Sequence, residues 1–302
     1  MTPIKCLALV LCVLIPESPG YAAPPCRPVG KGINFYSRAR EIELGKELAR
    51  DVEREARIIE DPVVSEYVNR IGQNLVNQSG AGYVFVIKVV RSEEVNTYAL
   101  PGGFLFVNSG LIRAAENEAE LAVALAHEIG HVAARHYTRQ ASWGDILNYA
   151  SIPMLFMGGW PGLVAREGLA FGTPLALKKF SRAFEAEADT LGIRYVDSAG
   201  YDPTALVDFL ERIARTDKGS RGLFAKMLSA HPPIASRVRA AQKQIQRELS
   251  PRPQYLIQTS EFVLVKERLA AIENGQHVPR RSTSTVSDPP PVLRRAKTSP
   301  DE

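Results

Sequence analysis

The stretch NEAELAVALAHEIGHVAARH, residues 117–136, decides how this chain is to be read. Asn117 followed by Glu120 resembles a capping box, and the Ala-, Leu-, Val- and His-rich sequence behind it meets no helix breaker before about His136. Within it lies His127-Glu128-Ile129-Gly130-His131. Two histidines four residues apart sit about 40° apart around a 3.6-residue helix, so both imidazoles face one point. That spacing lets two ring nitrogens bind one Zn2+ ion and leaves Glu128 beside them to take a proton from an attacking water. On so apolar a segment, the same histidines without a metal would be buried polar rings lacking partners.

A catalytic zinc needs a third protein ligand. The metzincin pattern would place glycine at 134 and histidine at 137, whereas the chain has Ala134 and Tyr137. His136 lies nine residues beyond His127, half a turn away around a continuous helix, and is expected near the helix C-terminus, where its partial charge suits the dipole. The remaining source is Phe184-Glu185-Ala186-Glu187-Ala188-Asp189, three acids in an otherwise apolar helical segment. Glu185 and Asp189, at i and i+4, share a face. Glu185 can ligate the zinc while Asp189 accepts the free ring N–H of a ligating histidine. Glu187 projects about 200° from Glu185 and is expected to be a solvated surface residue.

Upstream of this helix, Ile42, Leu44, Leu48 and Val52 keep helical spacing from Ser37 to about Arg57, and Asp61-Pro62 opens a second helix to about Val76. Tyr83–Val90 and Gly103–Val107 read as strands separated by a polar turn and Pro101-Gly102. Downstream, Ile146–Ala165 carries no formal charge but is broken by Pro153, Gly158, Gly159, Pro161 and Gly162. A lid or a peripheral membrane contact through 146–172 is expected rather than a spanning helix. Helical pattern returns over Lys179–Ala199 and again from Asp202-Pro203 through Arg215, and two short helices flank His231-Pro232-Pro233. A strand at Tyr255–Gln258 and a helix at Glu261–Ile272 precede a Pro-, Ser-, Thr- and Arg-rich tail, expected to be disordered. The fold class is α+β, mainly helical, with a small sheet beside the helix that carries the histidine pair.

Composition bounds the remaining choices. A chain of 302 residues that is 45% hydrophobic and 23% charged suits one large domain or two small ones, and excludes collagen, coiled-coil and wholly disordered architectures. The balance of 37 basic against 33 acidic residues, with no extended basic run, argues against a nucleic-acid partner. Lys5, the apolar run Cys6–Ile15 and the breakers Pro16, Pro19 and Gly20 have the layout of a secretory signal peptide, with cleavage expected after Ala22. An exported protein follows, in the periplasm first and secreted second. Cys6 and Cys12 leave with the signal, so Cys26 alone excludes a disulfide scaffold. The residues after 250 are too few for three helical repeats of about 34 residues, so no appended repeat domain is expected.

Four signatures together carry a family resemblance: Asn96-Thr97-Tyr98-Ala99-Leu100-Pro101-Gly102-Gly103, the motif from His127 to His131, Glu185 with Asp189, and His231-Pro232 followed by Arg237. Over about residues 40–245 the chain resembles the CAAX prenyl protease type of zinc metallopeptidases, in particular their soluble periplasmic, β-barrel assembly-enhancing branch. The resemblance implies a zincin-like gluzincin endopeptidase acting on polypeptides of the cell envelope, with one Zn2+ per chain held by His127, His131 and Glu185. It implies Glu128 as general base, Asp189 behind the ligands, and the strand of Gly103, Phe104, Leu105, Phe106 and Val107 pairing with an extended substrate. It places His231 near the metal, as a reversible fourth ligand or an aid to the transition state, and offers Arg237 as an oxyanion stabiliser. The expected organisation is a signal peptide at 1–22, a linker at 23–36, the metallopeptidase domain at 37–249, a packed strand and helix at 250–274 and a disordered tail at 275–302. The alternative is a silenced metallopeptidase fold, a chaperone or binding factor in which His231 closes the zinc site.

Overall fold

A computed structural model describes residues 29–155, 181–216, 234–276 and 291–295. Helix α1 (Arg38–Glu55) starts on Ser37, whose side chain accepts from the Arg40 N–H. Helix α2 (Pro62–Ser79) starts on Asp61, which accepts from the Val64 N–H with Pro62 in the first turn, and it ends on Gly80 in the left-handed conformation that glycine adopts without strain. Strands β1 (Val86–Val90), β2 (Thr97–Leu100) and β3 (Phe104–Asn108) follow, then the short helix α3 (Ser109–Ala114).

The sheet has the order β1-β3-β2, with β1 parallel and β2 antiparallel to β3. The sequence reading took the residues of β2 for a turn; they pair with β3 in the register Thr97↔Val107 to Leu100↔Phe104. The Pro101–Gly103 turn between them demands glycine. Gly102 and Gly103 have φ of 78° and 103°, and side chains there would strike the α1 backbone at Ile42 and the Val84 carbonyl.

Helix α4 (Glu118–Ala133) is capped by Asn117, which accepts from the Glu120 N–H at 3.0 Å, while the Glu120 carboxylate accepts from the Glu116 N–H at 2.8 Å. All its residues are buried, as its unbroken apolar run requires, and it packs on α2, β2 and the later helices. Leu121, Leu125 and Ile129 meet Tyr67, Leu75, Leu105 and Phe209 in one core.

The structure ends α4 earlier than the sequence suggests. Arg135 takes φ 58°, the only described non-glycine residue with positive φ, and α5 (His136–Leu155) sets off in a new direction. The Arg135 side chain is held by the buried Glu41 of α1, which also accepts from Thr138 and Tyr83. This clamp holds a backbone conformation that otherwise costs a β-carbon-bearing residue about 1–2 kcal/mol. The stretch 146–155, expected to open a broken segment, is helical, and the rest of the expected lid or membrane contact, 156–172, lies outside the described residues.

Residues 181–198 form α6, followed by α7 (Ala205–Thr216) and α8 (Ile234–Glu248). Strand β4 (Gln254–Gln258) and helix α9 (Ser260–Glu273) then return to the N-terminal half, α9 lying against α2 and α3 and β4 against α4. Buried Glu118 accepts from Tyr201 at 2.8 Å and from the Thr259 N–H at 3.1 Å, locking this return onto the start of α4.

The tail is not wholly disordered. Val292–Arg295 forms β5, antiparallel to β4, and Arg294 reaches Asp202 at 3.0 Å and Thr204 at 2.7 Å. Among the described residues, no helix is long and apolar enough to cross a membrane. The signal peptide, Cys26 and His231 all lie outside the described residues.

Candidate active site

Helices α4 and α6 approach each other through small residues. A β-carbon on Gly130 would sit 3.0 Å from the Ala188 carbonyl oxygen, and one on Gly192 would sit 3.3 Å from the His127 nitrogen. Backbone meets backbone there, so the short acids of α6 reach the histidines of α4.

The Nε2 atoms of His127 and His131 are 3.1 Å apart. One Glu185 oxygen lies 3.4 Å from the first and the other 3.4 Å from the second. Ligand atoms about 2.0–2.1 Å from a common tetrahedral centre stand ~3.3–3.4 Å apart, so the ring nitrogens and the Glu185 carboxylate have the spacing a divalent ion requires. All three side chains are buried, and they are the only described group of this kind that could hold a metal.

Behind His127, its Nδ1 lies 2.9 Å from Asp189 Oδ1. Arg237 closes a two-pronged pair on Asp189, Nε donating at 2.7 Å and Nη2 at 2.8 Å, with Nη1 3.3 Å from Glu185. Burial alone would raise the Asp189 carboxyl, but the hydrogen bonds from His127 and Arg237 outweigh it and hold it down at about 2. Burial likewise pulls the His127 imidazole down, and the bonds to Asp189 and Glu185 reverse the sign, pushing it up to about 9 in the metal-free chain. Burial lowers His131.

Arg237 thus touches both acids of the site, Nε and Nη2 on Asp189 and Nη1 beside Glu185, and its buried guanidinium braces them in place.

The expectation for Glu187 is overturned. Its carboxylate lies 3.0 Å from His136 Nε2 and accepts from Arg139 at 3.1 Å and from the Gly30 N–H at 3.3 Å, and the His136 bond first of all holds it down at about 2. His136 in turn places Nδ1 3.0 Å from His131 Nδ1, and burial depresses its imidazole to about 4, so it is neutral at ordinary pH. On a continuous helix His136 would face away; the left-handed Arg135 swings it back.

Glu128 is aimed by two groups that the sequence did not single out. The Ala99 N–H of β2 donates to its carboxylate at 3.1 Å and the Tyr137 hydroxyl at 3.3 Å. Burial and the neighbouring Glu128 charge push the Tyr137 phenol well above its ordinary range, so it stays a donor. Two sequence signals pointed here: three of the five histidines fall within ten residues, and the acids alternate at 185, 187 and 189.

The expected substrate strand is not free. Residues Phe104–Val107 of β3 pair on one side with β1 and on the other with β2, so their backbone groups are already used. Gly103 sits in the turn, its carbonyl accepting from Val86 at 2.9 Å. The edge that faces Glu128 belongs to β2.

Comparison with known proteins gives a consistent result. The family model described as Peptidase family M48 matches residues 62–245, more than half of the chain. Over 249 residues the chain is 29% identical to the beta-barrel assembly-enhancing protease of Escherichia coli, covering 79% of this chain and 50% of that protein. The mitochondrial metalloendopeptidase OMA1 of Schizosaccharomyces pombe is 32% identical over 196 residues, 61% of this chain and 55% of its own length. The corresponding Arabidopsis thaliana protein is 33% identical over 154 residues, 50% of this chain and 30% of its own. The chain thus spans about half the length, or less, of these relatives.

Proposed function

The chain belongs to peptidase family M48, and from that premise we propose that it is a zinc-dependent endopeptidase in which His127, His131 and Glu185 hold the ion and Glu128 is the general base. The observation that carries this reading is the pair of Nε2 atoms 3.1 Å apart, each with a Glu185 oxygen at 3.4 Å, beside a carboxylate fixed by two donors. When bound, the ion supplies Lewis acidity toward an attacking water and a peptide carbonyl.

The chain's own residues do the rest. Glu128 accepts a proton from the attacking water at the oxygen turned toward the site and returns it to the leaving amine nitrogen. The Ala99 N–H and the Tyr137 hydroxyl keep that carboxylate oriented between the two transfers. Asp189 accepts the Nδ1–H of His127 and so leaves its Nε2 lone pair facing inward, with Arg237 holding Asp189 in place.

The substrate is an extended polypeptide laid along the outer edge of β2 rather than β3. Pairing through backbone groups tolerates many side chains, which suits turnover of misfolded or misassembled exported proteins. The N-terminal segment 1–22 supports export, whereas the mitochondrial relatives show that the family spans more than one compartment.

Purified protein with one zinc per chain is expected to cleave casein, and to stop when the metal is chelated. Glu128→Gln should keep the zinc and lose about 10²–10⁴-fold in turnover. Turnover of that variant at the normal rate would overturn the assignment. Zinc bound without any cleavage by the native chain would favour the silenced binding factor instead.

A further inference from the structure

We propose that His136, backed by Glu187 and Arg139, is a positioning relay that fixes the proton and the ring orientation of the ligand His131. The inference rests on the metal-site reading above and deepens it. His131 Nδ1 meets a second imidazole, His136, at 3.0 Å, whose far nitrogen lies 3.0 Å from Glu187.

The direction of each hydrogen bond follows from what each group can do. Glu187, accepting from Arg139 and the Gly30 N–H, acts only as an acceptor, so His136 must donate to it from Nε2. A His131 that ligates through Nε2 carries its hydrogen on Nδ1, and at 3.0 Å a donor there needs an acceptor, so His136 turns the lone pair of Nδ1 toward it and keeps its own hydrogen on Nε2. What remains on His131 Nε2 is a lone pair directed at His127 Nε2 and Glu185, where an ion would sit. The opposite tautomer would place a proton on the ligand atom. A carboxylate two rings away thereby decides the donor state of a metal ligand.

The relay is held in register as well as in polarity. The His136 ring stacks on Phe184 with centroids 4.4 Å apart and planes 18° from parallel, and the Arg139 guanidinium lies over the other ring partner at 4.7 Å from the Phe184 centroid. His136 is only 2% exposed, so water does not replace Glu187 as its partner. Helix α6 thus contributes an acid to the site at 185, 187 and 189, one as ligand and one behind each histidine.

The test is zinc release from the loaded full chain into a chromogenic chelator, read beside the visible spectrum of the cobalt-substituted protein and the thermal midpoint of the metal-free chain. His136→Phe keeps the stacking and deletes both nitrogens; it should release zinc roughly 10–100-fold faster, the usual effect of losing such a partner. His136→Gln offers an acceptor toward His131 and a donor toward Glu187 from one amide, and should stay within about threefold of the native rate. Should His136→Phe fail to fold, Glu187→Leu carries the same test, with release faster by on the order of tenfold.

A merely structural role would lower the metal-free midpoint of Phe and Gln variants alike and leave release and spectrum unchanged, and that result overturns the relay. Equal acceleration by Phe and Gln would overturn it too. A native chain that takes up no zinc would remove the metal-site reading itself, whereas zinc uptake abolished by His131→Ala but indifferent to His136 would leave that reading standing without the relay.

Discussion

The two histidines proposed as ligands stand on one helix, one turn apart, yet they are supported in different ways. His127 meets Asp189 directly, and Asp189 is gripped by the buried Arg237. His131 meets a carboxylate of α6 through His136, and that carboxylate, Glu187, is a third exposed and held by the buried Arg139. One arm is short and buried throughout; the other is longer and passes through a partly exposed carboxylate. Helix geometry explains the difference. Acids at 185 and 189 fall on one face, while 187 falls on the other, so Glu187 reaches the site only by way of an intermediate ring.

Breaking the short arm should have the larger effect. Asp189→Leu leaves the buried Arg237 guanidinium with Glu185 alone, a loss of about 3–5 kcal/mol, whereas Glu187→Leu removes a carboxylate that is a third exposed and leaves Arg139 its bonds to the Ala134 and Lys31 carbonyls, a smaller loss of about 1 kcal/mol. Urea unfolding of the two metal-free variants measures this, and equal losses would erase the distinction between the arms.

Gly130→Val attacks what the arms share. Its side chain would drive into the Ala188 backbone, separating α4 from α6 at a cost of about 1–3 kcal/mol from overpacking, and would weaken zinc binding through both histidines together. Isothermal titration with zinc beside urea unfolding would check it; a variant with native stability but weaker binding would show that ligand spacing, not packing, is the sensitive quantity.

The smallest effect concerns pH and the Glu41 clamp on Arg135 that shapes the long arm. Burial raises the Glu41 carboxyl, but its bonds from Arg135, Thr138 and Tyr83 prevail and hold it below its ordinary 4.5. A depressed carboxyl contributes stability above its unfolded value and loses it as pH falls through the lower folded value. The native chain should therefore weaken on acidification below about 4.5, and Glu41→Gln should flatten that limb of the stability profile. An unchanged slope would show that the Arg135 clamp is not what acid releases.

The short arm and the ligands were readable from the sequence because they depend only on regular helix geometry: four-residue spacing places His127 with His131 and Glu185 with Asp189. The long arm was not, because it depends on one residue leaving that geometry. With Arg135 in the left-handed region, a helical wheel that sends His136 to the far side no longer applies. Strand identity failed for a related reason. The run Phe104–Val107 was recognisable as a strand, but its central place between β1 and β2 is a property of pairing that no single stretch contains. Tail residues 292–295 looked too polar and proline-flanked to order, and the Arg294 contacts with Asp202 and Thr204 that accompany their pairing lie some ninety residues back along the chain.

The seam of Gly130, Ala188 and Gly192 bears on how a polypeptide could enter. Where two helices touch main chain to main chain, neither side-chain rotation nor a hinge between them can change their distance without opening a void along the contact. His127, His131 and Glu185 are therefore held at a fixed spacing by the backbone contact itself. The Pro101–Gly103 turn is set on α1 in the same manner, main chain against main chain, so the β2 edge and the histidine pair face each other across a cleft whose two walls are both fixed by glycine contacts.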